Sequence, residues 1–342
     1  MGPRCTIVHA APHVRPLTEP EAIAPIRLLS SHVTDAPIML TDLPFALRLY
    51  ARLPLRVVHA IGALLGWVAY ASSPTYRRHF RETLRAAYPS PPPGLARRAI
   101  AHAGRTLMEM PWIWARAPEV ARSHVVEVSG WEAVTAACAM GSGVVLLTPH
   151  LGCFEILAYY RALQGPVTVL YRPPKLAWLA PLLVASRAQG GLKLARPDLA
   201  GVRALLGALR RGELVGLLPD QVPSFGEGVW APFFGRPAYT MTLAARLASP
   251  GRALFFVYAE RLARGRGYRI AVVPPTQPLP AALPARVAAI NAALEGLIRQ
   301  LPEQYLWGYN RYKVPSGAPP PHGGLMDVAE AAKVAKAADA PR

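Results

Sequence analysis

The sequence lacks the motifs that mark several large classes of enzyme. It has no G-x-S-x-G turn of serine hydrolases, no G-x-x-x-x-G-K-[ST] phosphate loop and no G-x-G-x-x-G turn after a predicted strand. No spacing of cysteines and histidines predicts a zinc site, so we expect neither a metal nor a cofactor. No recognisable nucleic-acid-binding module is present, and we expect no nucleic-acid partner.

Acidic residues and cysteines are both scarce. Only 20 acidic residues accompany 38 basic ones, which gives a net charge of +18. Such an excess indicates an anionic partner, for example an anionic membrane face, a phosphorylated lipid or an acidic protein. Charged residues make up 17% of the chain and hydrophobic residues 52%, which is typical of a protein that contacts a membrane. The 3 cysteines form no paired framework, which favours a reducing compartment.

Composition divides the chain into four segments. Residues 1–40 are rich in proline, show no signal-peptide pattern and predict an irregular N-terminal extension. Residues 41–75 predict an apolar helix, residues 76–314 alternate strands with helices, and residues 315–342 predict a mobile tail.

The apolar helix has features of a membrane-contacting segment. Val57 to Ala71 contains one polar residue, His59, but is shorter than the roughly 20 residues that a full span needs. Arg48, Arg52 and Arg56 recur at a spacing that puts them on one helix face. The pattern predicts a short anchor or an interfacial helix on an anionic membrane surface, with a buried packing helix as the alternative.

The alternation of elements predicts an α/β fold, with a mostly parallel sheet flanked by helices. Val222 to Pro237 is interrupted by glycine and proline and predicts a long loop, and Thr240 to Leu247 predicts a helix. The other predicted strands are 125–128, 144–147, 167–171, 214–218, 253–259 and 268–273, and the helices that separate them include 151–163, 176–189, 199–211 and 284–301.

The strongest chemical signal lies between Gly143 and Glu155. An apolar run ends at Thr148-Pro149, so His150 is predicted in the turn at the carboxyl end of a strand, where open α/β sheets bind ligands. Glu155 follows one turn into the next helix, from which its carboxylate could orient the imidazole of a general base. The alternative is that the spacing of His150 and Glu155 arises by chance and has no catalytic role. Cys153 is interpreted as a small buried residue rather than a nucleophile.

Other polar residues follow predicted strands. Arg172, Asp220 and Arg261 each stand at a strand end, and Arg187 lies in the helix after Arg172. The carboxyl ends of parallel strands meet at one edge, so these side chains are expected to converge there. Arginine is suited to binding phosphate or carboxylate at two points. Each residue alone is more typical of a surface charge or a structural ion pair, so the prediction depends on the set.

Five segments in this order resemble the bacterial lipid A biosynthesis acyltransferases, the late lauroyl and myristoyl transferases. The resemblance covers about Leu43 to Lys313. The segments are Gly143–Glu155 with its H-x4-[DE] motif, Val169-Leu-Tyr-Arg-Pro173, Gly212–Gln221 ending in Pro-Asp-Gln, Ala231–Ala238, and Tyr305–Lys313.

The resemblance implies a glycerolipid-acyltransferase-like fold with an N-terminal membrane-associating helix. It implies an enzyme at the cytoplasmic face of a Gram-negative inner membrane that transfers a fatty acyl group from acyl carrier protein to a hydroxyl of a lipid A precursor. No cofactor is implied. Two alternatives stay open: an acyltransferase acting on another polar lipid, such as a phosphoglycolipid or an ornithine lipid, and a non-catalytic peripheral membrane protein of the same fold.

The family motifs also imply roles for individual residues. His150 is expected to be the general base, with Glu155 holding its tautomer. The group that binds the oxyanion is left open, with backbone amides near Leu151 and Gly152 as one candidate. Further predictions cover the remaining polar and aromatic candidates: Arg172, Arg187, Asp220 and Arg261 bind substrate, while Trp230, Phe233 and Phe234 line an acyl groove or pack in the core.

Overall fold

The computed structural model of the 342-residue chain describes residues 45–172, 191–249 and 251–321. The predicted N-terminal extension, the predicted helix that carries Arg187 and all but the first residues of the predicted tail lie outside these ranges. The described helices are α1 (Phe45–Ala51), α2 (Leu55–Ser72), α3 (Pro74–Ala87), α4 (Leu95–Trp114), α5 (Pro118–Arg122), α6 (Trp131–Ala139), α7 (Phe154–Ala162), α8 (Leu199–Arg210), α9 (Leu243–Leu247) and α10 (Leu283–Gln300). The described strands are β1 (Val125–Ser129), β2 (Val144–Leu147), β3 (Val167–Leu170), β4 (Leu192–Ala195), β5 (Leu214–Leu217), β6 (Gly228–Phe233), β7 (Arg236–Met241), β8 (Ala253–Arg261) and β9 (Tyr268–Val273).

Seven strands form one sheet in the order β1-β9-β8-β2-β5-β3-β4. Neighbouring strands in this sheet run parallel, except for the antiparallel pair β8–β9. The predicted α/β fold with a mostly parallel sheet flanked by helices is therefore confirmed. Strand β4 was not predicted; it is a short edge strand with an exposed lysine at its second position.

Strand β2 at the centre of the sheet contributes to two separate cores. All four of its residues are buried, because helices cover both faces of the sheet. Val145 and Leu147 pack on one face with α8 and α10, and Val144 and Leu146 pack on the other with α6 and α7. This alternation follows from the two-residue period of a strand. A continuous apolar run is thus what this position requires.

The predicted loop between Val222 and Pro237 is wrong in its second half, because β6 and β7 pair there as an antiparallel hairpin. Phe234 and Gly235 form its turn with positive φ angles of 48° and 71°. Pro232 and Pro237 face each other across this two-stranded ribbon, which has no central strand for proline to disrupt. The predicted helix at 240–247 accordingly begins only at Leu243, where α9 starts.

Helix α2 approaches α4 most closely at glycines. A Cβ added at Gly104 of α4 would overlap with the carbonyl oxygen of Gly62 and lie 2.5 Å from the amide nitrogen of Gly66. The two helix backbones are therefore in direct contact, the close approach that small residues four apart permit.

The outer face of α2 remains uncovered. Among the described residues, only α2 is both long enough and apolar enough to cross a membrane. Of its 18-residue window, 28% is buried. Leu64, Trp67 and Val68 are exposed, with Trp67 at 41%. The structure thus has an apolar helix near the N-terminus, as predicted. Leu55 and Val58 of this helix pack in the core, whereas Leu64, Trp67 and Val68 are exposed.

We predict that Gly104→Ala destabilises the protein, because the added methyl group has no space between the two backbones and α2 must shift. Overpacking of this kind typically costs about 1–3 kcal/mol. Thermal unfolding followed by circular dichroism would measure the loss. Gly296→Ala is the matched control: this α10 glycine has nothing within 4 Å of an added Cβ, so the same change there should leave stability equal or raise it.

Candidate active site

His150 and Asp220 come together because two neighbouring strands end in register. Strands β2 and β5 pair in parallel, with Leu147 opposite Leu217. His150 and Asp220 each follow three residues after those partners, so both side chains reach the same edge of the sheet. The predicted convergence of strand-end residues is observed for this pair.

The Asp220 carboxylate binds His150 at two points. The ring Nδ1 lies 2.7 Å from Oδ1, and the backbone N–H of His150 donates to Oδ2 at 2.8 Å. Asp220 is buried, whereas the imidazole keeps 16% of its side-chain surface exposed. A buried anion at Nδ1 favours the tautomer that carries its proton there and leaves the Nε2 lone pair as a potential base. The side-chain amide of Gln221 lies 3.0 Å from Nε2, where it can donate to that lone pair.

The electrostatics of Asp220 agree with this arrangement. Burial by itself would raise the pKa of the carboxyl. The opposing effects of His150, through its charge and its ring and backbone hydrogen bonds, together with the charge of Arg311 keep the pKa of Asp220 below its usual range. Asp220 is therefore an anion at neutral pH, which is the state that an orienting carboxylate needs.

Glu155 does not contact the imidazole, which corrects the predicted geometry of the His150–Glu155 pair. Its Oε1 accepts a hydrogen bond of 2.8 Å from the indole nitrogen of Trp114, and the residue is buried in the first turn of α7. The reason is that α7 starts only at Phe154, and its first turn directs residue 155 towards α4 rather than towards the strand ends. Short spacing along the chain suggested Glu155 as the partner of His150, whereas the register of β2 and β5 places Asp220 beside it.

A buried ionic network lies directly behind the turn that carries His150. Arg261 at the end of β8 binds Glu109 of α4 through both carboxylate oxygens and donates to the Oγ1 of Thr106 at 2.8 Å. Its guanidinium also donates to the carbonyl of Gly152 at 3.3 Å. The predicted role of Arg261 in substrate binding does not fit these contacts, because the side chain is 3% exposed and its donors are directed at protein groups. The residue instead supports the backbone that follows His150.

Two histidines complete this network. His59 Nε2 lies 2.6 Å from Oε1 of Glu109, which explains the single polar residue in the apolar face of α2. Burial would raise the pKa of Glu109, but the charge of Arg261 and hydrogen bonds from His59 and Arg261 hold it at about 2. Burial, with the neighbouring charges of Arg261 and Arg105, lowers the pKa of His102 to about 2. Glu109 is thus kept charged, and His102 is kept neutral.

The backbone amides of the turn are already occupied. Leu151 N–H donates to Pro149, Gly152 N–H to Gln304, and Cys153 N–H to Ala259. The predicted oxyanion role of the amides near Leu151 and Gly152 therefore does not fit the structure. Cys153 itself is buried, and burial raises the pKa of its thiol, so it remains a poor nucleophile as expected.

The C-terminal segment closes the turn from the other side. Leu306 N–H donates to the His150 carbonyl at 3.1 Å, and the side chain of Gln304 exchanges two hydrogen bonds with the backbone of Arg261. The phenolic oxygen of Tyr309 accepts from Val222 N–H at 2.8 Å. Residues 304–309 thus connect both strand ends that carry the dyad.

Comparison with known proteins identifies the family of the chain. Residues 43–314 match the sequence profile of the family described as bacterial lipid A biosynthesis acyltransferase. The chain belongs to this family. It is similar to the lipid A biosynthesis lauroyltransferase of Escherichia coli K12, with 29% identity over 79% of this chain and 90% of that protein. It is also similar to the lipid A biosynthesis palmitoleoyltransferase of the same organism, with 27% identity over 78% of this chain and 88% of that protein.

In this family member, one of the two remaining predicted arginines can be located in the structure. Arg172 follows β3 and is exposed. Burial raises the pKa of Tyr309, and the charges of Arg311 and Arg172 oppose this rise. β3 and β5 pair in parallel with Val169 opposite Gly216, so Arg172 and Asp220 follow neighbouring strands at the same edge of the sheet. Arg187 lies outside the described residues.

The aromatic residues of this acyltransferase mostly belong to the core. Phe233 and Phe234 are buried in the core that contains Trp307, and the guanidinium of Arg311 lies 4.8 Å from the ring centre of Phe233. Their burial favours the core alternative over an open acyl groove. Trp230 is partly exposed, and its indole nitrogen donates to the carbonyl of Pro319.

Sequence reasoning missed Gln221, Gln304 and Glu109 in this family member. Gln221 could have been found, since it follows Asp220 directly at a strand end. Glu109 carried a weaker signal: it is an acidic residue in an apolar stretch of α4, and His59 is a lone polar residue in α2. No spacing connects these two residues before the helices are paired.

We predict that acid destabilises the fold in two stages. His102 is held neutral in the folded state with a pKa of about 2, compared with 6.5 in the unfolded chain. Its contribution to the free energy of unfolding is therefore complete above pH 6.5 and is lost as the pH falls below 6.5. Glu109 adds a contribution that is complete above 4.5 and is lost as the pH falls towards 2. Each group gives a slope of up to about 1.4 kcal/mol per pH unit.

Denaturant unfolding at pH 7, 6, 5 and 4 would measure these slopes. His102→Gln should flatten the dependence between pH 6.5 and 4.5, whereas His79→Gln, a change outside the network, should keep it. An unchanged slope in His102→Gln would contradict the assignment to His102.

Proposed function

We propose that this protein transfers a fatty acyl group from acyl carrier protein to a hydroxyl of a lipid A precursor, a secondary acylation in lipid A biosynthesis. The observation that carries the proposal is the partly exposed His150, held at Nδ1 by the buried Asp220 carboxylate, in a chain of this family. A base oriented in this way suits attack by a hydroxyl on an activated acyl group.

In the proposed reaction His150 Nε2 accepts the proton of the acceptor hydroxyl. The oxygen attacks the thioester carbonyl, a C–O bond forms, and collapse of the tetrahedral intermediate breaks the C–S bond. The imidazolium returns its proton to the departing thiolate of the carrier. No acyl-enzyme is needed, and general-base assistance of this kind contributes roughly 10²–10⁴-fold.

Asp220 stabilises the imidazolium that forms during the reaction, since its carboxylate stays ionised beside Nδ1. Glu155 is the carboxylate of the family motif, and a catalytic contribution from it stays a prediction. Arg172 and Arg187 stay predictions as ligands of an acceptor phosphate or carboxylate.

Gln221 has a place in this mechanism that the sequence did not suggest. Its side-chain amide occupies Nε2 of His150 at 3.0 Å, which is the position that the acceptor hydroxyl needs. The hydroxyl must displace this amide before the proton can move. The displaced N–H group then remains beside the reacting carbonyl, where it can donate to the oxyanion in place of the occupied backbone amides.

The proposed partners follow from charge and exposure. Acyl carrier protein is acidic, and the net charge of +18 would attract both it and anionic lipid. The exposed apolar face of α2 supports attachment to the cytoplasmic face of the inner membrane, where lipid acceptor and soluble carrier are both accessible.

Mass spectrometry of lipid A from cells that lack the protein tests this proposal. We expect one secondary acyl chain to be missing, and the mass difference identifies it. Complementation with the wild-type gene should restore the chain, and His150→Ala, expressed at the same level, should not. Unchanged lipid A in the deletion strain would refute the lipid A assignment; a polar lipid altered instead would identify the other acceptor.

We predict that Asp220→Asn lowers kcat by about 10²–10⁴-fold, because the amide neither fixes the tautomer nor stabilises the imidazolium. Glu155→Gln is the matched comparison, since it removes a carboxylate charge that contacts Trp114 and not His150. Initial rates with acyl carrier protein as donor, on variants shown to be folded by circular dichroism, would measure both. A loss in Glu155→Gln equal to or greater than that in Asp220→Asn would return the orienting role to Glu155.

A further inference from the structure

A basic cavity lies between the C-terminal half of α2 and the N-terminal half of α4. Its volume is about 510 Å³, and its lining includes Trp67, Arg97, Arg98, His102 and Arg105. Arg98, His102 and Arg105 recur at four- and three-residue intervals along α4, so they share one face of that helix, and Arg97 directly precedes Arg98. The proposed acyl transfer uses none of these groups.

The arginines of this cavity have no direct ion-pair partner among the described residues. Among the described residues, no carboxylate lies within 4 Å of the guanidinium nitrogens of Arg97, Arg98 or Arg105. The guanidiniums of Arg97 and Arg98 both turn back towards Gly94: an added Cβ there would lie 3.9 Å from Arg97 Nη2 and 3.0 Å from Arg98 Nη1. Two cationic groups therefore converge on the start of α4.

The floor of the cavity has more hydrogen-bond donors than acceptors. His102 lies between two guanidiniums, with Nε2 3.0 Å from Arg105 Nη1 and Nδ1 3.0 Å from Arg261 Nη1. A neutral imidazole has only one acceptor nitrogen, so it can satisfy only one of these two donors. The Nε of Arg105 is buried, and no described residue accepts a hydrogen bond from it. An anion that accepts several N–H groups would satisfy these donors.

The backbone adds to the same field. Helix α4 is 20 residues long, its N-cap Gly94 supplies no side-chain cap, and its first turn contains no acidic residue. The N-terminus of a helix carries a partial positive charge and unpaired N–H groups, which favour phosphate. Together with the arginines, this end of α4 provides donors on two sides of the cavity.

The surroundings of the cavity favour a lipid as the source of such an anion. Trp67 lies on its rim and also on the uncovered face of α2, beside the exposed Leu64 and Val68. Tryptophan is enriched at the depth of lipid headgroups, where its ring is half in contact with acyl chains. A lipid whose chains follow α2 would bring its headgroup to the arginines.

We propose that this cavity binds the phosphate group of a lipid headgroup, with Arg97, Arg98 and Arg105 as its donors. The inference rests on the proposed function only in taking the protein to act at a lipid surface. It adds a second lipid contact that is separate from His150. Bound phosphate also satisfies Arg105, which contacts His102 and through it the Arg261 that supports Gly152.

Native mass spectrometry of the full chain in neutral maltoside detergent tests the proposal. The protein is titrated with phosphatidylglycerol and with a neutral diglycosyl diacylglycerol of the same chains. We expect the phosphate-bearing lipid to bind about tenfold more tightly, and Arg97→Gln with Arg98→Gln to remove that preference, since a charge-assisted hydrogen bond is worth roughly this factor. Arg203→Gln with Arg210→Gln is the matched control, because it removes the same charge from exposed positions of α8.

Each result has one interpretation. Loss of the preference in the cavity variant alone supports the proposal. Equal loss in both double variants would reveal general charge attraction, and an unchanged preference in the cavity variant would exclude the site. Displacement of the lipid by inorganic phosphate at equal concentration would make free phosphate the ligand and overturn the lipid assignment. Because no acyl donor is present, failure here is distinct from failure of the lipid A experiment.

Discussion

The bidentate contact between Asp220 and His150 depends on the register of two strands and determines what the site can do. One oxygen fixes the backbone of the turn and the other fixes the imidazole ring, so a single carboxylate sets both the position and the tautomer of the base. The contact is possible because β2 and β5 end opposite one another. Burial of the carboxylate removes competition from water, and the neighbouring cations keep it ionised.

The turn needs support from behind, because a base on a flexible loop would not be positioned well. That support is the buried pair of Arg261 and Glu109, which joins the end of β8 to α4 and reaches the carbonyl of Gly152. Removing one partner of such a pair typically costs about 3–5 kcal/mol, because the other charge stays buried without compensation. Both partners are therefore needed to hold α4 against the turn that carries His150.

Much of this architecture was readable from the sequence, but the pairing of side chains was not. The apolar run of β2, its termination at Pro149 and the position of His150 at a strand end follow from local chemistry. The convergence of Asp220 on that edge follows from the parallel sheet. The choice of Asp220 over Glu155 requires the strand order and register, which no short window contains. The pair of Glu109 and Arg261 is separated by 152 positions along the chain and becomes visible only when α4 packs beside β8.

The glycine contact between α2 and α4 has a mechanical consequence. At Gly62, Gly66 and Gly104 the two backbones are in direct contact, so no side chain at this point can repack to accommodate a shift of one helix along the other. α4 is in turn fixed to the turn of His150 through Glu109 and Arg261. The outer face of α2 is therefore connected to His150 through α4, Glu109 and Arg261. If α2 rests on a bilayer, the tilt of that single helix sets the height and the direction from which a lipid hydroxyl can reach Nε2.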